Sequence, residues 1–393
     1  MHLYLLPLAF ALVGLALYTV LGGADFGAGF WQLVATDEDI RDEAHHAMGP
    51  VWEANHVWLI FVLTVVWTAY PAAFGSIAST LSVPLFISGI GIVLRGGAYA
   101  LRPGTRNAAE QRRIDTVFAV SSILTPFALG TAVGGLASER VSVGNPGGSL
   151  VTSWLNPLSI TIGVLAVAVS AYMAAVFLCG DAVRHGKPAL AERFRLRALA
   201  AGVVAGVAAL AGIVVLHIDA ERLFTHLTRG DGLPALIVSV IAGGATLVLL
   251  WRRRYEPARY TAGLAVAAVI SGWALAQNPV FLHGLTIREA AASHDTLVAV
   301  VVAVLAGAVL LFPSLGLLFR LTLRGTLDHG ESAVSPRPQA IRPNVGGTRL
   351  SAAFLVAAIG FLTLADAPWA HAIGVVCFFA FAVAGFRRLA ETD

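Results

Sequence analysis

Nine long apolar runs constrain this chain more than any other feature. They fall at roughly 3–33, 50–74, 77–101, 115–137, 154–180, 197–217, 233–251, 259–277 and 295–321. A helix needs about 20 apolar residues to cross a bilayer. Backbone N–H and C=O groups in lipid must also find partners within the structure, which leaves helices or closed barrels. No run alternates with a period of two, as a barrel strand would. Composition agrees: 57% of residues are hydrophobic and 12% charged, against about 25% charged in soluble domains. An ordinary soluble enzyme and a disordered chain are both excluded, leaving an all-α integral membrane protein. The net charge of +3 is almost all arginine, with Lys187 the only lysine, and it points to no nucleic-acid partner.

Basic residues alternate between connections. Arg102, Arg106, Arg112 and Arg113 follow the third run; Arg184, Lys187, Arg193, Arg195 and Arg197 follow the fifth; Arg252, Arg253, Arg254 and Arg259 follow the seventh. The opposite connections hold few. By the positive-inside rule the rich connections face the cytoplasm, so the N-terminus is expected outside and the end of the ninth run inside. The first run lacks a basic leader and a small-residue cleavage site, so it reads as a retained helix. The expected setting is a prokaryotic plasma membrane, crossed many times.

Three regions are expected: a nine-helix membrane domain over 1–325, a Pro/Gly-rich cytoplasmic linker over 326–350, and a hydrophobic hairpin over 351–393. Arg387 and Arg388 after the last apolar run put the C-terminus in the cytoplasm. Cys179 and Cys377 form no CxxC or CxxCH pattern, which argues against a c-type haem, an iron–sulfur cluster or a structural zinc. No metal site is expected.

Charged groups inside a bilayer are expensive and tend to mark a path or a site. One cluster is Gly22-Gly23-Ala24-Asp25-Phe26-Gly27-Ala28-Gly29 in the first run. Gly23, Gly27 and Gly29 would let helices approach closely, and Asp25 is the only charge there. The other is Val51-Trp52-Glu53-Ala54-Asn55-His56-Val57-Trp58, opening the second run. Glu53 and His56 are three apart and share a helix face. With both acids toward the cytoplasmic half, Asp25, Glu53, Asn55 and His56 form a candidate proton-entry site. The blander alternative has Asp25 capping a break in its helix and Glu53 at headgroup level.

Arg95, the lone base within the third run, could neutralise an acid; snorkelling to the surface is the favoured expectation. Asp115 reads as a first-turn helix residue. His217 and Asp219 read as surface groups. The stretch Asp37, Glu38, Asp39, Asp42, Glu43, His45 and His46 reads as solvated, although it could gather protons. Membrane haems need His or Met aimed into a bundle. Methionine occurs only at 1, 48 and 173, and most histidines fall at run ends, so no bis-ligated haem is expected here.

Three stretches resemble one family. GGADFGAGF is similar to a G-x-D-x-G-x-G pattern, GPVWEANHVWLI (49–60, followed by Tyr70-Pro71) to W-[DE]-[GA]-N-x-V-W, and LTIREAAASHDTL (285–297, followed by Phe312-Pro313) to LTI-x-x-A-x-S. Together, over about 3–325, they resemble subunit II of the cytochrome bd-type quinol oxidases, in the cyanide-insensitive branch. The resemblance implies two four-helix bundles plus a peripheral helix. It implies a haem-bearing subunit I partner holding haems b and d and the quinol site, quinol and O₂ as substrates, and protons drawn from the cytoplasm. Subunit II would stabilise the haem subunit and supply proton-route residues, with Glu53 and Asp25 at the motif acids. A structurally held quinone or lipid and a small accessory subunit also fit that picture. The segment 327–393 departs from the family pattern. A proton-coupled transporter acting alone, or a scaffold in which the acids only pack helices, are the competing expectations.

Overall fold

A computed structural model describes residues 2–35, 40–41, 43–44, 49–102, 107–144 and 149–323, with scattered helical positions between 353 and 381. Side chains at 49–54, 108, 310, 312 and 315–323 lie outside the description. The expected linker, and the expected hairpin apart from those scattered positions, also fall outside the described residues. The chain divides into two compact units, Met1–Leu310 and Leu311–Asp393. The first carries the architecture below; in the second, the end of one long helix and the scattered helical positions are described.

The helices in chain order are α1 (Leu6–Val34), α2 (Gly49–Ala69), α3 (Pro71–Thr80), α4 (Ser82–Leu101), α5 (Ala108–Ala137), α6 (Pro157–Arg184), α7 (Pro188–Asp219), α8 (Glu221–Arg229), α9 (Leu233–Trp251) and α10 (Tyr255–Gln277). A small antiparallel ribbon, β1 (Val280–Leu282) and β2 (Leu285–Thr286), pairs Val280 with Thr286 and Leu282 with Leu285. Then come α11 (Ile287–Ala290) and α12 (His294–Leu323). Among the described residues, α1, α4, α5, α6, α7, α9 and α10 are long and apolar enough to span, while α2 and α12 contribute shorter apolar stretches, Asn55–Ala69 and His294–Val309.

The helices follow the nine expected runs in order but extend past them into water. α5 starts at Ala108 and α7 at Pro188, so Arg112, Arg113, Arg193 and Arg197 ride on helices and not in loops. Hydropathy sees only the lipid-crossing part of a helix; caps set its true end. The Asn107 side chain accepts from the Glu110 N–H at 2.7 Å, and Pro157 and Pro188 occupy first-turn positions where a missing N–H does no harm. Asp115 is therefore not a first-turn residue: it lies two turns into α5 and pairs with Arg102 at 2.7 Å. Pro71 divides the second run into α2 and α3, since proline suits a helix start and not its interior.

α1 is the hub, packing on α2, α5, α6 and α10. The α4–α5, α5–α6, α6–α7 and α9–α10 pairs are the other large contacts. Tyr70, fully buried at the α2–α3 corner, donates its hydroxyl hydrogen to the Tyr4 carbonyl at 2.5 Å and accepts from the Leu8 N–H at 3.1 Å. The Ala292 N–H reaches the Ala69 carbonyl at 2.8 Å. The second and third motif stretches thus meet at one corner, with Ile287 and Ala290 in the same apolar cluster. α11 starts on a capping box between Thr286 and Glu289.

Candidate functional site

The sequence GGADFGAG turns α1 into a surface with a different partner on each side. A Cβ on Gly22 would sit 2.9 Å from both amide atoms of Asn55 on α2. One on Gly23 would sit 3.3 Å from the Met173 side chain on α6, and one on Gly27 would sit 1.9 Å from the Ser170 carbonyl oxygen. One on Gly29 would lie 2.2 Å from Ser122 Oγ on α5. Gly27 meets backbone, which cannot swing aside, so any side chain there would push α1 and α6 apart.

Asp25 points from this surface toward α4. Its carboxylate accepts two hydrogen bonds from the Arg95 guanidinium, Nη1 to Oδ2 at 2.6 Å and Nη2 to Oδ1, and Nη2 also reaches the Asp25 carbonyl at 3.0 Å. Both side chains are 0% exposed. The Phe26 and Phe118 rings lie 4.8 and 4.7 Å from the guanidinium carbon, adding a cation–π enclosure. Arg95 therefore does not snorkel. A guanidinium sealed in this interior needs an anion, and Asp25, the only acid in its run, supplies it. α1 runs unbroken through Asp25, so the residue caps no break. Tyr18, two turns earlier, is buried with its ring edge-on to Phe26 at 6.4 Å and its hydroxyl without a hydrogen-bond partner among the described residues.

Asn55 is 0% exposed, and neither amide atom has a hydrogen-bond partner among the described residues. Buried amides left like this are uncommon and suit bound water or a moving ligand. His56, the next residue, is half-buried. Glu53 belongs to the first turns of α2, and its side chain lies outside the described residues. Its position on the helix follows from geometry. Successive residues turn by about 100°, so position 53 lies nearly opposite Asn55, which faces α1. It falls on the stripe of Val57, Ile60 and Trp67, which are 50, 63 and 64% exposed. The two motif acids thus differ: Asp25 is closed off inside the chain, and position 53 belongs to a bare helix face.

Beyond α1, Glu43 is only 2% exposed and accepts from Lys187 Nζ at 2.8 Å and shares a 2.7 Å contact with His185 Nδ1. Burial alone would raise its carboxyl, but the Lys187 and His185 hydrogen bonds more than offset this and hold it below its ordinary value. With Ile40 and Ala44 also buried, this part of the acidic stretch is docked and not solvated. Asp37, Glu38, Asp39, Asp42, His45 and His46 lie outside the described residues. At the other end, Asp219 pairs with Arg140 at 2.8 Å, and the His217 ring lies against Phe224 at 4.5 Å, tilted by 50°.

A model of the family described as "Cytochrome bd terminal oxidase subunit II" matches residues 3–322. The chain belongs to that family. A candidate cytochrome bd menaquinol oxidase subunit II of Bacillus subtilis (strain 168) is 21% identical over 236 residues, spanning 58% of this chain and 67% of the relative. A cytochrome bd ubiquinol oxidase subunit 2 of the same organism is 29% identical over 111 residues, 28% of this chain and 33% of that one. The bd oxidase structure from Geobacillus thermodenitrificans is similar at TM-score 0.65 and 25% identity, covering 82% of this chain and 99% of that one. As a member, the chain is a membrane subunit of a bd-type quinol oxidase, a haem-containing complex that includes a subunit I.

Among the described residues, the donor set does not fit an axial haem pair. Apart from His56, two turns into α2, the described histidines lie in connections, in the short α8 or near helix ends, and the interior methionine, Met173, packs against Gly23. No step below passes through a haem on this chain.

Proposed function

We propose that this chain is the non-haem subunit of a membrane terminal oxidase that oxidises quinol and reduces O₂ to water. Haems b and d and the quinol site belong to subunit I, which this chain stabilises. Its second task is to pass protons from the cytoplasm toward that partner. The observation that carries the reading is the split between the two motif acids. Position 53 shares its face with bare apolar residues that suit a partner helix, and His56 follows one turn along. Glu53 takes a proton from water on the cytoplasmic side and releases it toward the partner; Asn55, with its unmet amide groups, holds water beside that route. Asp25 contributes as a fixed anion balanced by Arg95, setting the field at the inner end of the route.

In this reading the N-terminus is outside and the C-terminus cytoplasmic. Residues after 322 fall beyond the family match; segment 327–393 would occupy a peripheral site such as a small accessory subunit uses. The test is Glu53→Gln in the complete oxidase. Quinol-driven O₂ consumption should fall by roughly a hundredfold, within the range for losing a proton-transfer group, while the haem spectrum stays intact. Unchanged turnover would remove Glu53 from the route. Loss of haem along with turnover would favour the scaffold role.

A further inference from the structure

The turn between α9 and α10 has a role that proton transfer does not explain. α9 ends in a Schellman cap: the Arg253 N–H reaches the Leu250 carbonyl at 3.0 Å and the Arg254 N–H reaches the Leu249 carbonyl at 2.8 Å. The residue at its left-handed position is Arg253, with φ of 57°. α6 ends in the same cap, with bonds from Gly186 to Val183 at 3.0 Å and from Lys187 to Ala182 at 2.8 Å. There the left-handed residue is glycine, with φ of 68°, which adopts that conformation without strain. A strained backbone is the starting point for asking what its side chain does.

The side chain lines a groove of about 450 Å³ between the two caps. Val183, Pro188 and Ala191 give it an apolar floor, and Glu192, Arg253 and Tyr255 give it a polar rim. Glu192 is held by Arg195 Nε at 2.9 Å and touches Arg253 at 3.4 Å, so its charge is already balanced. Arg252 and Arg254 are exposed and have no acidic partner among the described residues. The turn beside the groove therefore carries an excess of positive charge. Trp251 and Tyr260, both largely exposed, flank the turn. Amphipathic aromatics of this kind sit at headgroup level, and basic pockets between membrane helices take anionic headgroups.

We infer that Arg252, Arg253 and Arg254 form a binding site for the phosphate of an anionic phospholipid, whose acyl chains run along the exposed faces of α9 and α10. Arginine forks suit phosphate oxygens, and exposed apolar residues on α9 and α10, such as Val248 and Leu264, favour a lipid over a soluble anion.

The complete oxidase, purified in mild detergent, is exchanged into mixed micelles containing phosphatidylglycerol or phosphatidylcholine, and retained lipid is counted by native mass spectrometry. The wild type should hold phosphatidylglycerol in preference, and an excess of inorganic phosphate should not displace it. Retention should drop by roughly fivefold for each arginine removed, so R252Q/R253Q/R254Q should show no preference. Arg253→Gly keeps the cap and relieves the backbone, so it should raise thermal stability and still lower retention. It also serves if the triple variant fails to assemble. Equal retention by wild type and Arg253→Gly would overturn the site. Displacement by inorganic phosphate would overturn the lipid assignment.

Discussion

Two acids stand at contrasting positions on consecutive helices. Asp25 is enclosed by Arg95, Phe26 and Phe118, with no exposed surface on either member of the ion pair. Glu53 occupies a helix face whose neighbours Ile60 and Trp67 are bare. An acid in a bidentate pair with a permanent cation holds helices and shapes a field; moving a proton through it would break that pair. In the proposed reading, the acid at position 53 is completed by the partner subunit. In the reading proposed above, one motif acid serves architecture on α1 and the other serves proton transfer on α2.

The sharpest way to break this comparison is Arg95→Ala. It leaves the Asp25 carboxylate buried without compensation, which costs about 3–5 kcal/mol. The complex should fail to accumulate or lose thermal stability, while a double replacement by leucine, Asp25→Leu with Arg95→Leu, should recover much of it. Normal stability in Arg95→Ala would mean that the pair is not structural. Next in size is Glu53→Gln, with its hundredfold slowing at constant haem content. Gly27→Ala should follow, destabilising by about 1–3 kcal/mol through overpacking against the Ser170 carbonyl. Its signature would be a lower melting temperature with unchanged turnover per intact complex.

The smallest effect concerns a third acid, outside the membrane. The folded value of the Glu43 carboxyl is depressed, so its contribution is fully present above its ordinary value of 4.5 and fades as pH falls through the lower folded value. Thermal stability of the wild type should therefore decline over acid pH more steeply than that of Glu43→Gln. Parallel pH profiles would show that the contacts with Lys187 and His185 contribute nothing.

Much of the fold was legible because lipid imposes a simple rule on long apolar runs. Helix ends were less so: Asn107 and Pro188 begin helices in charged sequence, where hydropathy carries no signal. α8 and the β1–β2 ribbon were missed for the same reason, being short and outside the apolar runs. Asp25 and Asn55 stood out as polar residues in apolar surroundings. Arg95 was misread, although a lone base in one run and a lone acid in another already suggested a neutral pair. Glu43 could not be singled out, since its four acidic neighbours look alike in sequence and only the docked positions of Ile40 and Ala44 distinguish it. Tyr18 gave no signal, because a tyrosine in an apolar run reads as core until its hydroxyl is seen to be unmet.

The most direct test follows protons and not turnover. The fully reduced oxidase, mixed with O₂ in weakly buffered solution containing a pH-sensitive dye, reports proton uptake during a single turnover. In Glu53→Gln, O₂ should bind at the wild-type speed while uptake slows by roughly a hundredfold. Uptake at the wild-type rate in that variant would contradict the division of labour between the two acids.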